Sequence, residues 1–135
     1  MHSSDHARIG AVVSALALGL LARGRSLPGT LALWAYGVLF SVFVDLDHFA
    51  IARLKTGDWK HLRRAVTHPI WAFTSQEEVF PDVGMTLERL ASHVVVGTVL
   101  TVALRPFSRL LSTLTAITLV AHLLADLVHE GRKLR

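Results

Sequence analysis

Four apolar runs divide the chain: Ile9 to Ala22, Leu27 to Val44, Leu90 to Leu104, and Leu110 to Ala125. Alone, each of these runs of about 14–18 residues falls at or below the roughly 20 that span hydrocarbon, and would read as a buried helix of a soluble core. Flanking residues lengthen them. Ser4 can cap a helix starting at Asp5, Pro28 suits a first helical turn, Thr86 can cap a helix running to Leu104, and Ser108 can cap the last. The pattern therefore predicts helices at about 5–22, 28–52, 87–104 and 108–130, with a connection over about 53–86. At 1.5 Å per residue such helices measure roughly 27–37 Å, enough to cross a bilayer. In the first helix Ala7, Ala11, Ala15 and Gly19 recur every fourth residue, a stripe expected to be its packing face. Leu20 and Arg23 around Ala22 make a poor leader-cleavage site, so this helix is expected to be retained. The connection carries Trp59, Trp71, Phe73 and Phe80 among charges, which predicts interfacial aromatic anchors beside short amphipathic helices.

Composition supports a membrane reading. Of the 135 residues, 52% are hydrophobic and 18% charged, against roughly 45–50% and about 25% in soluble domains. The fold expected is an all-α, integral membrane bundle of four helices forming a single domain over 1–135, with the lipid bilayer as partner. Cysteine is absent, so disulfides and thiolate metal sites are excluded. The pI near 10.3 comes from Arg and Lys at the ends of apolar runs, without a continuous basic stripe, and no stable nucleic-acid partner is expected.

Four spans put both termini and the connection on one side. That side holds ten of the fourteen Lys and Arg residues, and the two short turns hold four, namely Arg23, Arg25, Arg105 and Arg109. The positive-inside rule then turns both termini to the cytoplasm of a cell or inner membrane. All ten acidic residues, Glu77, Glu78 and Asp82 among them, and all eight histidines fall on or near the same side. His6 precedes the first apolar run; Asp45, Asp47 and His48 end the second; His93 begins the third; His122, Asp126 and His129 end the fourth.

Spacing relates these residues. His122 and Asp126, four apart, share a helix face that His129 extends, and Asp45 and His48, three apart, share another. Asp47 points elsewhere on an ideal helix, so it either serves a second ion or requires the helix to loosen. A carboxylate inside a membrane helix costs about 2.5–3.5 kcal/mol on insertion scales, and a cation is a fitting compensation. Singly, these residues have bland readings. His2 reads as a terminal residue, His61 as a solvated loop residue, His129 and Glu130 as a polar helix end, and Trp59 and Trp71 as anchors. Together they favour a metal site over a purely hydrogen-bonded cluster.

In order along the chain stand His6, then Asp45-Leu46-Asp47-His48, then Arg64-Ala65-Val66-Thr67-His68, then His122-Leu123-Leu124-Ala125-Asp126. In this order and membrane setting the sequence resembles the YdjM-like, LexA-regulated group of membrane-bound metal-dependent hydrolases. More distantly it is similar to the helical zinc-dependent phospholipase C group. It departs from the first pattern at Val44, where that family usually has Pro, and at Arg63, where it has a histidine that His61 stands near enough to replace.

The resemblance implies a divalent metal, Zn2+ before Mn2+ or Mg2+, and hydrolysis of a phosphoester, a lipid or a nucleotide. The expected ligands are His6, Asp45, Asp47, His48, His68, His93, His122 and Asp126. In this reading one ion sits between Asp45, His48, His122 and Asp126 and lowers the pKa of its water toward about 7. Asp47, His6, His68 and His93 hold a second ion or orient ligands, Asp47 has a catalytic role, and Arg64 clamps phosphate. A metal or proton transporter and a non-catalytic structural membrane protein are the alternatives.

Overall fold

The computed structural model describes residues 2–75, 78–81 and 83–133, with the side chains of Phe73 and Lys133 excepted. Glu77, Asp82 and Arg135, counted above on the cytoplasmic side, and the Phe73 anchor therefore lie outside the described residues. Helices α1 (Ser3–Leu21) and α2 (Leu27–Phe43) form an antiparallel pair. A single 3-10 turn, Val44–Leu46, carries the chain into α3 (Asp47–Thr56), which ends at Gly57, held at φ 81°, a left-handed backbone that glycine adopts freely. Two short helices follow, α4 (Lys60–Thr67) and α5 (Pro69–Thr74), then α6 (Thr86–Leu104) and α7 (Arg109–Lys133). Among the described residues there is no strand. Among those residues four stretches are long and apolar enough to cross a membrane: Ser3–Leu21, Leu27–Thr56, Thr86–Leu104 and Arg109–Arg132.

Buried and exposed positions are distributed the reverse of an aqueous fold. Among the described residues Leu114 is the one apolar member of the largest fully buried side chains; the others include His6, His93, His122, Asp126, Ser14 and Thr118. The outside carries Leu16 (67% exposed), Val99 (63%) and Leu124 (57%). Water would penalise that surface, whereas hydrocarbon does not. Helix α7 packs against α1, α2 and α6. Away from the histidines the bundle closes on two small apolar clusters, one around Leu18 and Leu114, the other around Phe40 and Leu119. Tyr36 bridges them, its hydroxyl 2.7 Å from the Thr115 Oγ1.

Local details depart from the sequence reading. The close-packed stripe of α1 is His6, Gly10 and Ser14, not the alanine stripe. A Cβ on Gly10 would come within 2.6 Å of the Ser41 Cβ, and one on Gly37 would collide with Ser14, so these glycines set the α1–α2 separation. Ala15 and Gly19 are exposed and line a groove with Leu31 and Trp34. Ser108 caps α7 by accepting the Leu111 N–H at 3.2 Å. Ser4 and Thr86 lie inside their helices, where His2 and Met85 are the uncapped first residues. His61 is buried rather than solvated, its Nδ1 2.7 Å from the Val79 carbonyl, which ties α4 to the end of the connection. The anchors are paired: Trp59 lies beneath the Arg53 guanidinium, and Trp71 donates to Glu78 at 3.0 Å.

Candidate metal centre

Helices α1 and α6 begin at the end of the bundle where the α2–α3 junction lies and α7 finishes. His6, Asp45, His93, His122 and Asp126 are thereby brought to one depth from four membrane-length segments. Their ligand-type atoms form two groups: His6, Asp45, His122 and Asp126; and Asp45, His48 and His93. Within each group these atoms lie within 4.8 Å of one another, every member is buried, and Asp45 belongs to both. Either group could hold a metal ion.

The partition differs from the expected one. Asp45, His122 and Asp126 share a group, but the fourth member is His6, not His48. His48 joins His93 on the other side of Asp45. The 3-10 turn at Val44–Leu46 keeps Asp45 and His48 aligned, 3.5 Å apart, because side chains three apart eclipse in that geometry, and the facing helices decide the rest: α6 brings His93 to the His48 side of Asp45 and α1 brings His6 to the other. The same local tightening answers the question of Asp47. Its Oδ2 accepts the Nδ1–H of His93 at 2.8 Å and lies 2.7 Å from the Ser92 hydroxyl, behind the ring rather than in either group.

Second contacts orient the imidazoles. His122 Nδ1 is 2.9 Å from the Ser41 carbonyl, which can only accept, so Nδ1 carries the hydrogen. If His122 is neutral, its Nε2 presents a lone pair, and it faces Asp45 Oδ1 at 3.3 Å and Asp126 Oδ2 at 3.4 Å. Likewise the bond from His93 Nδ1 to Asp47 leaves Nε2 facing Asp45 Oδ1 at 3.0 Å and His48 Nε2 at 3.2 Å. His6 Nε2 lies 3.3 Å from Asp126 Oδ1 and 3.7 Å from Asp45 Oδ2. Lone pairs aimed at carboxylate oxygens repel unless a proton or a metal cation lies between them. A ring nitrogen directed inward while its partner nitrogen is tied to a carboxylate or carbonyl is the usual outer arrangement of a metal-bound histidine.

Two expected site residues, and the helix-end His129, take other places. His68 is exposed, its Nδ1 2.9 Å from the hydroxyl of Thr67. Arg64 lies with its guanidinium 4.1 Å above the Trp71 ring. His129 belongs to neither group. Two contributors escaped the sequence reading. Ser41 acts through its carbonyl and also donates its hydroxyl to the His6 carbonyl at 2.9 Å. Arg89 sets Nη2 3.6 Å from Asp126 Oδ2; it stands four residues before His93, on the same helix face, a spacing that could have singled it out. No family model, curated protein or solved structure matches this chain.

Proposed function

We propose that the chain is an integral membrane, metal-dependent hydrolase acting on a phosphoester, with two divalent ions sharing Asp45. The observation that carries this reading is the convergence of imidazole nitrogens on Asp45 and Asp126, with Ser41 and Asp47 fixing His122 and His93 from behind. A metal cation settles those contacts without charging the stacked rings. His6 stacks on His122 with ring centroids 3.9 Å apart, and His48 on His93 at 4.9 Å. Charging both members of either pair would stack like cations. A donor set of imidazole and carboxylate without thiolate suits zinc first, then manganese or magnesium. The resemblance to the YdjM-like hydrolases belongs to this proposal, as does a cytoplasm-facing site in a cell or inner membrane, on the ten-to-four distribution of Lys and Arg.

A divalent ion held here supplies Lewis acidity toward a phosphoryl oxygen and a water whose pKa falls toward about 7. The protein does the rest. Asp45 and Asp126 balance the cationic charge, the Ser41 carbonyl and the Asp47 carboxylate hold the His122 and His93 rings, and Arg89 offers a positive charge to an incoming phosphate. Hydrolysis forms a bond from the water oxygen to phosphorus and breaks the bond to the leaving alcohol, which ends with one of the water's protons. A transporter would need a site near the midplane and a route onward. Among the described residues the buried ionisable side chains gather at one end, and the buried polar groups beyond them are hydroxyls such as Ser14, Thr115 and Thr118.

Elemental analysis of protein purified without chelator tests the reading, with about two divalent ions per chain expected by analogy with paired-ion sites. Turnover of a chromogenic phosphodiester should vanish on chelation and return with zinc or manganese. Metal at background level ends the proposal. Bound metal without turnover of any phosphoester removes the hydrolase reading, and metal flux into vesicles would favour transport.

A further inference from the structure

Beside the centre lies a cavity of about 340 Å3 between the α2–α3 junction and helices α4 and α5. This is within the range of roughly 300–1,000 Å3 typical of small-molecule pockets. Among its lining residues the polar ones are Ser3, Asp45 and His48; the remainder are apolar, including Phe43, Leu46, Leu62, Val66 and Phe80. Asp45 is the carboxylate common to both candidate metal groups, and His48 belongs to the second. An apolar chamber therefore opens onto the atoms that would hold the ions.

Its mouth is apolar too. Phe43 and Leu46 (each 54% exposed) and Val66 (69%) present side chains both to the cavity and to the outside. Phe43 and Leu46 lie within the second membrane-length stretch. On the other wall α4 turns Leu62, Ala65 and Val66 toward the cavity and carries Lys60, Arg63 and Arg64, all exposed. An amphipathic helix with a basic outer face fits the interface of an anionic bilayer. Apart from Ser3 and the two residues of the centre, a nucleotide would find no side-chain hydrogen-bonding partner along such walls; a hydrocarbon chain needs none.

We propose that this cavity receives the hydrocarbon chain of a membrane lipid entering sideways from the bilayer, and that the substrate is a lipid phosphoester whose phosphate is delivered to the Asp45–His48 side of the centre. The substrate class rests on the hydrolase reading above; the chain-binding cavity is testable apart from it.

Calorimetric titration of alkyl phosphates from ethyl to hexyl into detergent-solubilised, zinc-loaded protein reads the cavity directly. Each methylene that enters should raise affinity roughly fourfold. Two variants fill the space: Ala65→Trp, at a buried wall position, and Val66→Trp, at the exposed mouth, where a larger side chain does not threaten folding. In any variant that keeps the wild-type melting temperature, the dependence on chain length should flatten, with at least a tenfold fall in the hexyl-to-ethyl affinity ratio. A flat wild-type series overturns the proposal. So does a slope equally steep in both folded variants, since it reports partition into detergent. Turnover of hexyl and ethyl nitrophenyl phosphates separates the two claims. Chain-dependent binding without turnover keeps the cavity and removes the hydrolase, whereas turnover with a flat series keeps the hydrolase and removes the cavity.

Discussion

Asp45→Asn is the most discriminating substitution. The change keeps the size of the side chain and removes one negative charge from a carboxylate that faces four rings from α1, α3, α6 and α7. Its Oδ1 lies 3.0 Å from His93 Nε2, 3.3 Å from His122 Nε2 and 3.5 Å from His48 Nε2, and its Oδ2 lies 3.7 Å from His6 Nε2. If Asp45 bridges two ions, the variant loses an anionic ligand at both. Loss of an outer partner alone weakens metal binding roughly 10–100-fold, so loss of the shared ligand should cost at least about 100-fold. The assay is a pair of thermal melts, one with chelator and one with zinc, each on wild type and variant.

Zinc at about 100 times its dissociation constant should stabilise the wild type by about 2.7 kcal/mol for each ion bound. A 100-fold weaker site at the same zinc concentration retains only about 0.4 kcal/mol of that, by the same relation. The shift in melting temperature should therefore nearly disappear in Asp45→Asn. Under chelation the variant should match or exceed the wild type, because an uncompensated buried negative charge has been removed. The opposite pattern refutes the reasoning. If zinc leaves the wild type unchanged, and the variant is destabilised by about 3–5 kcal/mol with or without zinc, the cluster is a structural set of imidazolium–carboxylate pairs.

Asp47→Ala should weaken one ion roughly 10–100-fold while the other stays bound, because Asp47 holds His93 through Nδ1 and is a member of neither ligand group; competition titration with a zinc chelator reads the two affinities, and loss of both ions would place Asp47 in the shared position instead. Reporter fusions at the two ends should both report the cytoplasm, as the ten-to-four distribution of Lys and Arg predicts; opposite sides would mean an odd number of crossings.

Periodicity made part of the centre legible. The pairs His122 with Asp126 and Asp45 with His48 follow from helical repeat alone, and His6 and His93 follow from the depth at which antiparallel helices begin and end. The division between two groups was not legible, because it depends on which helix faces which. Local spacing says nothing of whether His6 or His48 completes the group of Asp45, His122 and Asp126. Asp47 was ambiguous because an ideal helix turns it away, and the 3-10 turn that redirects it has no breaker such as Pro or Gly within Val44–Leu46. Ser41 was invisible for another reason. It orients His122 through a backbone carbonyl in the last turn of α2, where carbonyls run short of helical partners, and no side-chain pattern reports that. His68 drew attention through a motif whose helix, α4, lies along the outside of the apolar cavity rather than over the ligands.

The position of the centre at the ends of the helices follows from the cost of its own residues. Three carboxylates, Asp45, Asp47 and Asp126, each carry an insertion penalty of about 2.5–3.5 kcal/mol at mid-membrane depth, and that penalty falls toward the interface. Among the described residues the deeper half of the bundle buries hydroxyls and small apolar clusters, whose polar groups find partners within or between helices, as Thr115 does with Leu111 and Tyr36. Close approaches such as Gly37 on Ser14 hold that half together, and bringing His6, Asp45, His93 and Asp126 together joins α1, the α2–α3 junction, α6 and α7 at the other end. A cation bound there would be coupled to the closure of that end of the bundle, so melting temperature and metal content should move together in the Asp45 variant.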